Sequence, residues 1–200
     1  MAGKSSRRMW TEKLSSCGGE NFTNRSGTAH HNSGEVHIFK GTAIGIDPSL
    51  RGTGVAVVNF SETTPRLMFS SRIACHRSLS FFQCIEKIFT ATSDILGEFS
   101  VDCAAIEQTI YVQNYRVSHS MGAAKGAIIA ALMRKNLTIS EYEPLRVKMS
   151  VVGVGRAPKE QIRRTVCGIL NIGDNISYDE SDAVAVALCH GWASKLQHFQ

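Results

Sequence analysis

The feature that most constrains the fold of this 200-residue chain is a pair of short apolar segments separated by a tight turn. The first segment covers residues 42–47 and the second covers residues 55–60. Between them lie Pro48, Gly52 and Gly54, which are typical turn residues. Two strands joined this closely are expected to pair as an antiparallel hairpin.

The remainder of the sequence alternates between strand and helix patterns. Further strands are predicted over residues 66–74, 101–107 and 138–142, and helices over residues 79–97, 117–135, 158–170 and 180–194. Gly97 is expected to end the first helix, and Pro158 to occupy the first position of the third. A strand meander followed by this alternation indicates an α/β fold with a mixed five-stranded sheet flanked by helices.

Composition separates the chain into two parts. Residues 1–38 are rich in Ser, Gly, Asn, Thr and His and show neither strand nor helix periodicity. We therefore predict a disordered N-terminal extension followed by one folded domain over residues 39–195. The paired His30 and His31 are interpreted as part of a solvated tail rather than as metal ligands. The formal charge of +5 divides into +3 over residues 1–40 and +2 over residues 41–200, which indicates an anionic partner only weakly.

Cysteine spacing and hydropathy exclude two further classes of protein. The six cysteines form no CxxC pair, so a zinc knuckle is not expected. We expect the cysteines to be buried free thiols in a reducing cytosol. No apolar run reaches the roughly 18 residues that a membrane-spanning helix needs, so no membrane association is predicted.

Acidic residues stand where a catalytic site would form. Asp47 and Glu107 each end an apolar strand, and strand ends line up along one edge of an α/β sheet. Asp179 and Asp182 are three residues apart and share one face at the start of the last helix. If that helix packs at the sheet edge, four carboxylates converge there. Such a cluster suits Mg²⁺ or Mn²⁺, and two such ions about 3.5–4 Å apart can promote phosphodiester hydrolysis.

Each acid also has a simpler structural interpretation. Asp47 precedes a proline and could begin a turn. Asp179 and Asp182 could be an N-cap and a favourable charge in the first helical turn. Glu107 is the hardest to explain in this way, because acids seldom end apolar strands.

Several segments, in the same order along the chain, resemble the motifs of the RuvC family of junction endonucleases. The matching stretches are IGIDPS at residues 44–49 with Arg51 and TG at 53–54, AIEQ at 105–108, QN at 113–114, GAAKG at 122–126, VK at 147–148, VVGVG at 151–155 with Lys159, and Asp179, Asp182 and Ala183 followed by ALCH at 187–190. The resemblance covers about residues 41–192. It implies a ribonuclease H-like fold and a Holliday junction resolvase that nicks two opposed strands symmetrically in recombination and repair.

The resemblance also implies roles for individual residues. It implies that the four acids are catalytic metal ligands, namely Asp47, Glu107, Asp179 and Asp182. It also implies two Mg²⁺ ions per subunit, for which Mn²⁺ can substitute. Lys148 and Lys159 become DNA contacts near the scissile phosphate, and Arg116 a further DNA contact. The implied setting is the bacterial cytoplasm, with four-way junction DNA, a second copy of the chain and the RuvA–RuvB branch-migration complex as partners. The helix over residues 117–135, whose apolar residues cover more than one face, is expected to form part of the dimer interface; the alternative is that both faces are covered within the monomer.

One position departs from the family pattern. The family commonly has an aromatic residue three positions after the glutamate, where it stacks on a base, and here that position is Ile110. Tyr111, which follows it, is the alternative stacking residue. The identity of the residue at the junction centre therefore stays open between these two.

Three other functions remain in competition with a RuvC-type resolvase. The first is another nuclease of the same fold, such as a ribonuclease H or a YqgF-like resolvase, against which the glycine- and lysine-bearing segment 147–159 argues. The second is a non-catalytic junction-binding protein, which would not need four acids. The third is an actin-like ATPase, which would need a far longer chain.

Overall fold

A computed structural model describes residues 39–109 and 114–193 of the chain. The elements are β1 (Thr42–Asp47), β2 (Gly52–Asn59), β3 (Arg66–Ala74), α1 (Phe81–Glu98), β4 (Cys103–Glu107), α2 (Tyr115–Met133), β5 (Thr138–Tyr142), α3 (Pro144–Val152), α4 (Lys159–Leu170) and α5 (Tyr178–Gly191). The α/β fold predicted from the sequence, a mixed sheet of five strands flanked by helices, is confirmed.

The sheet has the strand order β3-β2-β1-β4-β5. The first three strands form the predicted antiparallel meander, with β1 paired to β2 and β2 to β3. The other two strands are reached through helices and are parallel, β4 to β1 and β5 to β4. The carboxyl ends of β1, β4 and β5 therefore lie at one edge of the sheet, which is where β1 and β4 end in acids.

Two helical layers cover the sheet, and their side chains differ in size. On one face α1 and α2 pack on large apolar residues such as Ile44, Ile46 and Val57. On the other face α3, α4 and α5 pack on a sheet surface that includes Ala43, Ala56 and Ala105. The small side chains of this second face allow the backbone of α5 to come close to the sheet.

Helix α3 was not predicted as a separate element. Pro144 occupies its first turn, and Gly153 ends it with a φ of 74°, in the left-handed region that favours glycine. Its nine residues bury only Val147 and Val151, which is too short a pattern to identify from sequence.

Other helix limits differ from the predictions by one to three residues. Helix α1 begins at Phe81, after a capping box formed by Ser80 and Gln83, and it continues past Gly97 to Glu98. Pro158 is the N-cap of α4 and not its first residue. Helix α5 begins at Tyr178, two residues before the predicted start.

Two predictions on composition can be compared with the structure, and others fall on residues outside it. The five cysteines within the described residues are all buried free thiols, as expected. None of the helices described is both long and apolar enough to cross a membrane. The predictions for residues 1–38, including His30 and His31, and for Ile110 and Tyr111 lie outside the described residues.

Candidate active site

Two of the four predicted acids stand side by side at the carboxyl edge of the sheet. Ile46 of β1 pairs with Ile106 of β4, so the next residues along each strand, Asp47 and Glu107, are neighbours. Both follow strands whose preceding residues are fully buried, and both are themselves half-buried. Because alternate residues of a strand share a face, both acids project to the side on which α5 packs.

Helix α5 reaches this edge because two positions in the sheet lack a side chain. A Cβ at Gly45 of β1 would lie 2.6 Å from the backbone nitrogen of Ala187 and 2.7 Å from its Cβ. A Cβ at Gly54 of β2 would collide with the carbonyl oxygen of Asp179. These two glycines let the backbone of α5 touch the sheet, and they determine where the acids of α5 stand relative to Asp47.

The first turn of α5 is tied down by several side chains. Ser177 caps the helix in a reciprocal capping box with Glu180, and Glu180 also accepts a hydrogen bond of 2.9 Å from Ser70 of β3. Arg72, also on β3, donates through its Nε to a carboxylate oxygen of Asp179. The anchoring puts Asp179 in the first turn and Asp182 one turn later on the same side of the helix.

The clustering of acids changes the protonation of the two strand residues. Burial, and then the negative charges of Asp182 and Asp179, raise the pKa of Asp47 from 3.8 to about 7. Burial, followed by the charges of Asp47 and Asp182, raises the pKa of Glu107 from 4.5 to about 7. Near neutral pH each carboxyl group is therefore protonated in a large fraction of the metal-free molecules, because burial and the neighbouring acids both disfavour the charged form.

Two lysines stand beside the acids. Lys159, the first residue of α4, donates a hydrogen bond of 2.7 Å to Asp182, whose side chain is only 14% exposed. That hydrogen bond raises the pKa of Lys159. The positive charges of Lys159 and of Lys148 on α3 act in the opposite sense on Glu107 and limit the rise in its pKa. Both lysines proposed from the sequence are therefore close to the acids.

The four acids suit a hard divalent cation in donor type and in charge. Oxygen-only donors are those that Mg²⁺ and Mn²⁺ prefer, and positive charge would favour the ionised forms of Asp47 and Glu107, which burial and the neighbouring acids disfavour. In residues 39–109 and 114–193, however, no three of the acid, His and Cys side chains are close enough together to share one ion. Asp179 and Asp182 instead bind Arg72 and Lys159, which supply that positive charge.

Among the described residues, one further DNA contact was predicted from the sequence, and one residue beside the acids was not. Arg116 is exposed in the first turn of α2, which Asn114 caps. Arg72 was missed, because its position beside the acids depends on the register between β2 and β3. The available signal was the TG at residues 53–54, since a glycine in a strand often marks a close approach of another backbone.

Solved structures of junction resolvases share this fold. The structure of Thermus thermophilus RuvC superimposes with a TM-score of 0.70 and 24% sequence identity, covering 78% of this chain and 96% of that one. A second T. thermophilus RuvC structure, in complex with a Holliday junction substrate, gives a TM-score of 0.72 at the same identity. The yeast mitochondrial Holliday junction resolvase gives 0.57 at 11% identity, covering 82% of this chain and 83% of that one.

Sequence relatives are closer than these structures. RuvC of Citrifermentans bemidjiense is 33% identical over 147 residues, which are 74% of this chain and 90% of the relative. RuvC of Akkermansia muciniphila is 35% identical over 147 residues, covering 74% and 88% of the two chains. The family model for crossover junction endodeoxyribonuclease RuvC matches residues 43–190. Those residues contain all four acids and both lysines, and this chain belongs to the RuvC family.

Proposed function

We propose that this protein is a Holliday junction resolvase, a crossover junction endodeoxyribonuclease whose catalytic acids are Asp47, Glu107, Asp179 and Asp182. The observation that carries the proposal is that Asp47 and Glu107 are neighbours at one sheet edge, with Asp182 near enough to raise the pKa of both and Asp179 near enough to raise that of Asp47. Membership of the RuvC family supports the reaction and the substrate, since the relatives are named for cutting crossover junctions.

In this proposal the four acids hold divalent cations, with Mg²⁺ as the metal, two ions per subunit and Mn²⁺ as a substitute. Bound there, the ions would activate the attacking water and stabilise the leaving oxygen of the phosphodiester. Asp47 and Glu107, each with a pKa of about 7 in the metal-free protein, must be ionised in order to hold a cation. Cutting is therefore expected to increase as the pH rises through about 7.

Lys148 and Lys159 are proposed to hold the DNA backbone beside the acids. Lys159 leaves 59% of its side chain exposed while it contacts Asp182, so its ammonium group remains accessible to a phosphate. Lys148 is half-buried and lies close enough to Glu107 to lower its pKa. A cation at this position offsets the repulsion between an acidic site and a polyanion. Arg116, Ile110 and Tyr111 stay predicted DNA contacts on the resemblance alone.

Symmetric nicking of two opposed strands requires two copies of the site related by a two-fold axis, and we propose a homodimer. Helix α2 packs one face on the sheet through residues such as Ala124, Ile128 and Leu132. Its opposite side exposes Gly122 and Gly126, where an added Cβ would meet nothing within 4 Å. Small exposed residues spaced by four allow a second helix to approach closely. Cooperation with a RuvA–RuvB complex in a bacterial cytoplasm is proposed from the resemblance.

The test of substrate and reaction is a cleavage comparison with Mg²⁺. The purified chain is offered a four-way DNA junction, a linear duplex of the same sequence and an RNA–DNA hybrid. We expect paired nicks on opposed strands of the junction only. Faster cutting of the hybrid would instead indicate a ribonuclease H, and binding to the junction without any cutting would indicate a non-catalytic binding protein.

The oligomeric state is measured on the same preparation by light scattering. A dimer that releases paired nicked duplexes supports the proposal. A strict monomer at micromolar concentration that still cuts both strands in concert would contradict it.

A further inference from the structure

Arg72 of β3 lies in line with the catalytic acids. The strand register pairs Arg72 with Gly54, and Gly54 with Asp47, while Asp47 is the neighbour of Glu107 on β4. Residues paired across a sheet project from the same face, so Arg72, Asp47 and Glu107 share the face on which α5 packs. Strands are about 4.8 Å apart, which puts the Cα of Arg72 roughly 10 Å from that of Asp47.

The sheet leaves room for the guanidinium group of Arg72. A Cβ at Gly52 would lie 2.8 Å from both Nε and Nη2 of Arg72 and 2.9 Å from a carboxylate oxygen of Asp179. The guanidinium and the carboxylate therefore lie directly over a backbone that has no side chain. Gly54, the residue paired with both Arg72 and Asp47, also has no side chain, and the backbone of Asp179 occupies the space over it. Asp179 therefore stands between Arg72 and Asp47.

The hydrogen bond to Asp179 uses only one part of the guanidinium. Nε donates to Asp179, and within the described residues this is the one hydrogen bond that the Arg72 side chain makes. The side chain is 47% exposed, and its Nη groups make no hydrogen bond to the described residues. A guanidinium is rigid and planar, and fixing Nε also fixes the direction of its remaining donors.

A surface ion pair alone is a poor explanation for this arrangement. Exposed pairs of this kind contribute little to stability, and many contribute nothing measurable. We call the four acids Asp47, Glu107, Asp179 and Asp182 the acidic row. Its two lysines lie beside Asp182 and Glu107, whereas Arg72 lies at the opposite end, on β3. An acidic site that must accept a polyanion benefits from positive charge on both sides, and an arginine fork matches the geometry of phosphate.

We propose that Arg72 is a substrate-binding residue whose Nη groups hold a backbone phosphate of the DNA at the β3 end of the acidic row. This inference rests on the proposed function. Its Nε remains with Asp179, so the arginine connects the DNA backbone to a metal-binding acid. No bond is made or broken by Arg72 itself.

The test compares Arg72→Ala with Arg66→Ala, both in a Glu107→Gln background so that the DNA stays uncut. Arg66 is an exposed arginine on the same strand, six residues away and hence roughly 20 Å from Arg72. Binding of a fluorescent four-way junction is titrated with Mg²⁺ at several salt concentrations, and the logarithm of the affinity is plotted against that of the salt concentration.

We expect Arg72→Ala to weaken binding about tenfold and to make the salt dependence shallower by about 0.9, the value for one phosphate contact. Arg66→Ala should leave the slope unchanged, and both melting temperatures should stay near that of the parent. An unchanged slope in Arg72→Ala, or an equal loss in Arg66→Ala, would overturn the inference. If the parent fails to bind the junction and the wild-type chain fails to cut it, the proposed function itself is at fault.

Discussion

Replacing Asp47 by asparagine is expected to stabilise the metal-free protein while removing one of the proposed catalytic acids. Burial and the nearby acids raise the pKa of Asp47 from 3.8 to about 7. Below pH 3.8 the carboxyl group is protonated in both the folded and the unfolded chain and has no effect. Between the two values only the unfolded chain ionises, so the free energy of unfolding falls as the pH rises. Above pH 7 the carboxyl group is ionised in both states, and the free energy of unfolding falls no further on its account.

The magnitude follows from the two pKa values. One pH unit corresponds to about 1.4 kcal/mol, so the ionised Asp47 costs at most about 4 kcal/mol above pH 7. This is an upper value, because Glu107 and Asp47 repel each other and share part of the cost. For a chain of this size the corresponding rise in melting temperature in Asp47→Asn is on the order of 10 °C.

The assay is thermal and urea unfolding in EDTA, at pH 8 and at successively lower pH down to about 4. Asp47→Asn should be more stable than the wild-type chain at pH 8, with the difference shrinking toward pH 4. Asp94→Asn, at an exposed position of α1, is the matched control and should change little. Added Mg²⁺ should raise the melting temperature of the wild-type chain more than that of Asp47→Asn. A less stable Asp47→Asn variant at pH 8, or a difference independent of pH, would refute the reasoning.

Three further predictions concern packing, charge and the tail. Gly45→Ala should lower the unfolding free energy measured by urea titration by about 3 kcal/mol and reduce cutting, because the added Cβ displaces α5. Gly97→Ala, with open space around it, is the control, and equal effects would contradict the packing argument. Lys159→Ala should move the rise in cutting rate to higher pH, since the charge of Lys159 lowers the pKa of both Asp47 and Glu107. Lys135→Ala is the control and should not move it, and an unchanged pH profile in Lys159→Ala would contradict the prediction. Removal of residues 1–38 should leave the melting temperature unchanged, and a loss of several degrees would show that the tail is docked.

Local pattern was sufficient to predict most of the fold. The β1–β2 hairpin follows from two apolar segments around Pro48, Gly52 and Gly54, and the strand-ending acids follow from the same reading. The edge at which Asp47 and Glu107 meet could be anticipated because the carboxyl ends of parallel strands share one edge.

What could not be predicted depends on contacts between distant parts of the chain. Helix α3 buries only Val147 and Val151, so its periodicity is too short to distinguish it from a loop. Arg72 reaches the site through strand register and through the empty space over Gly52, neither of which a single sequence reveals. The ion pairs of Asp179 and Asp182 likewise depend on how closely α5 packs on the sheet.

The central claim, that the acidic row is the catalytic site of a junction resolvase, is tested most directly with Glu107→Gln. Single-turnover cleavage of a four-way junction with Mg²⁺ is measured together with junction affinity. We predict that cutting falls by at least about 100-fold, since even the outer partners of metal ligands account for roughly 10–100-fold, while the affinity is retained. Glu98→Gln, at the exposed end of α1, should cut like the wild-type chain. Cutting by Glu107→Gln at the wild-type rate would contradict the claim.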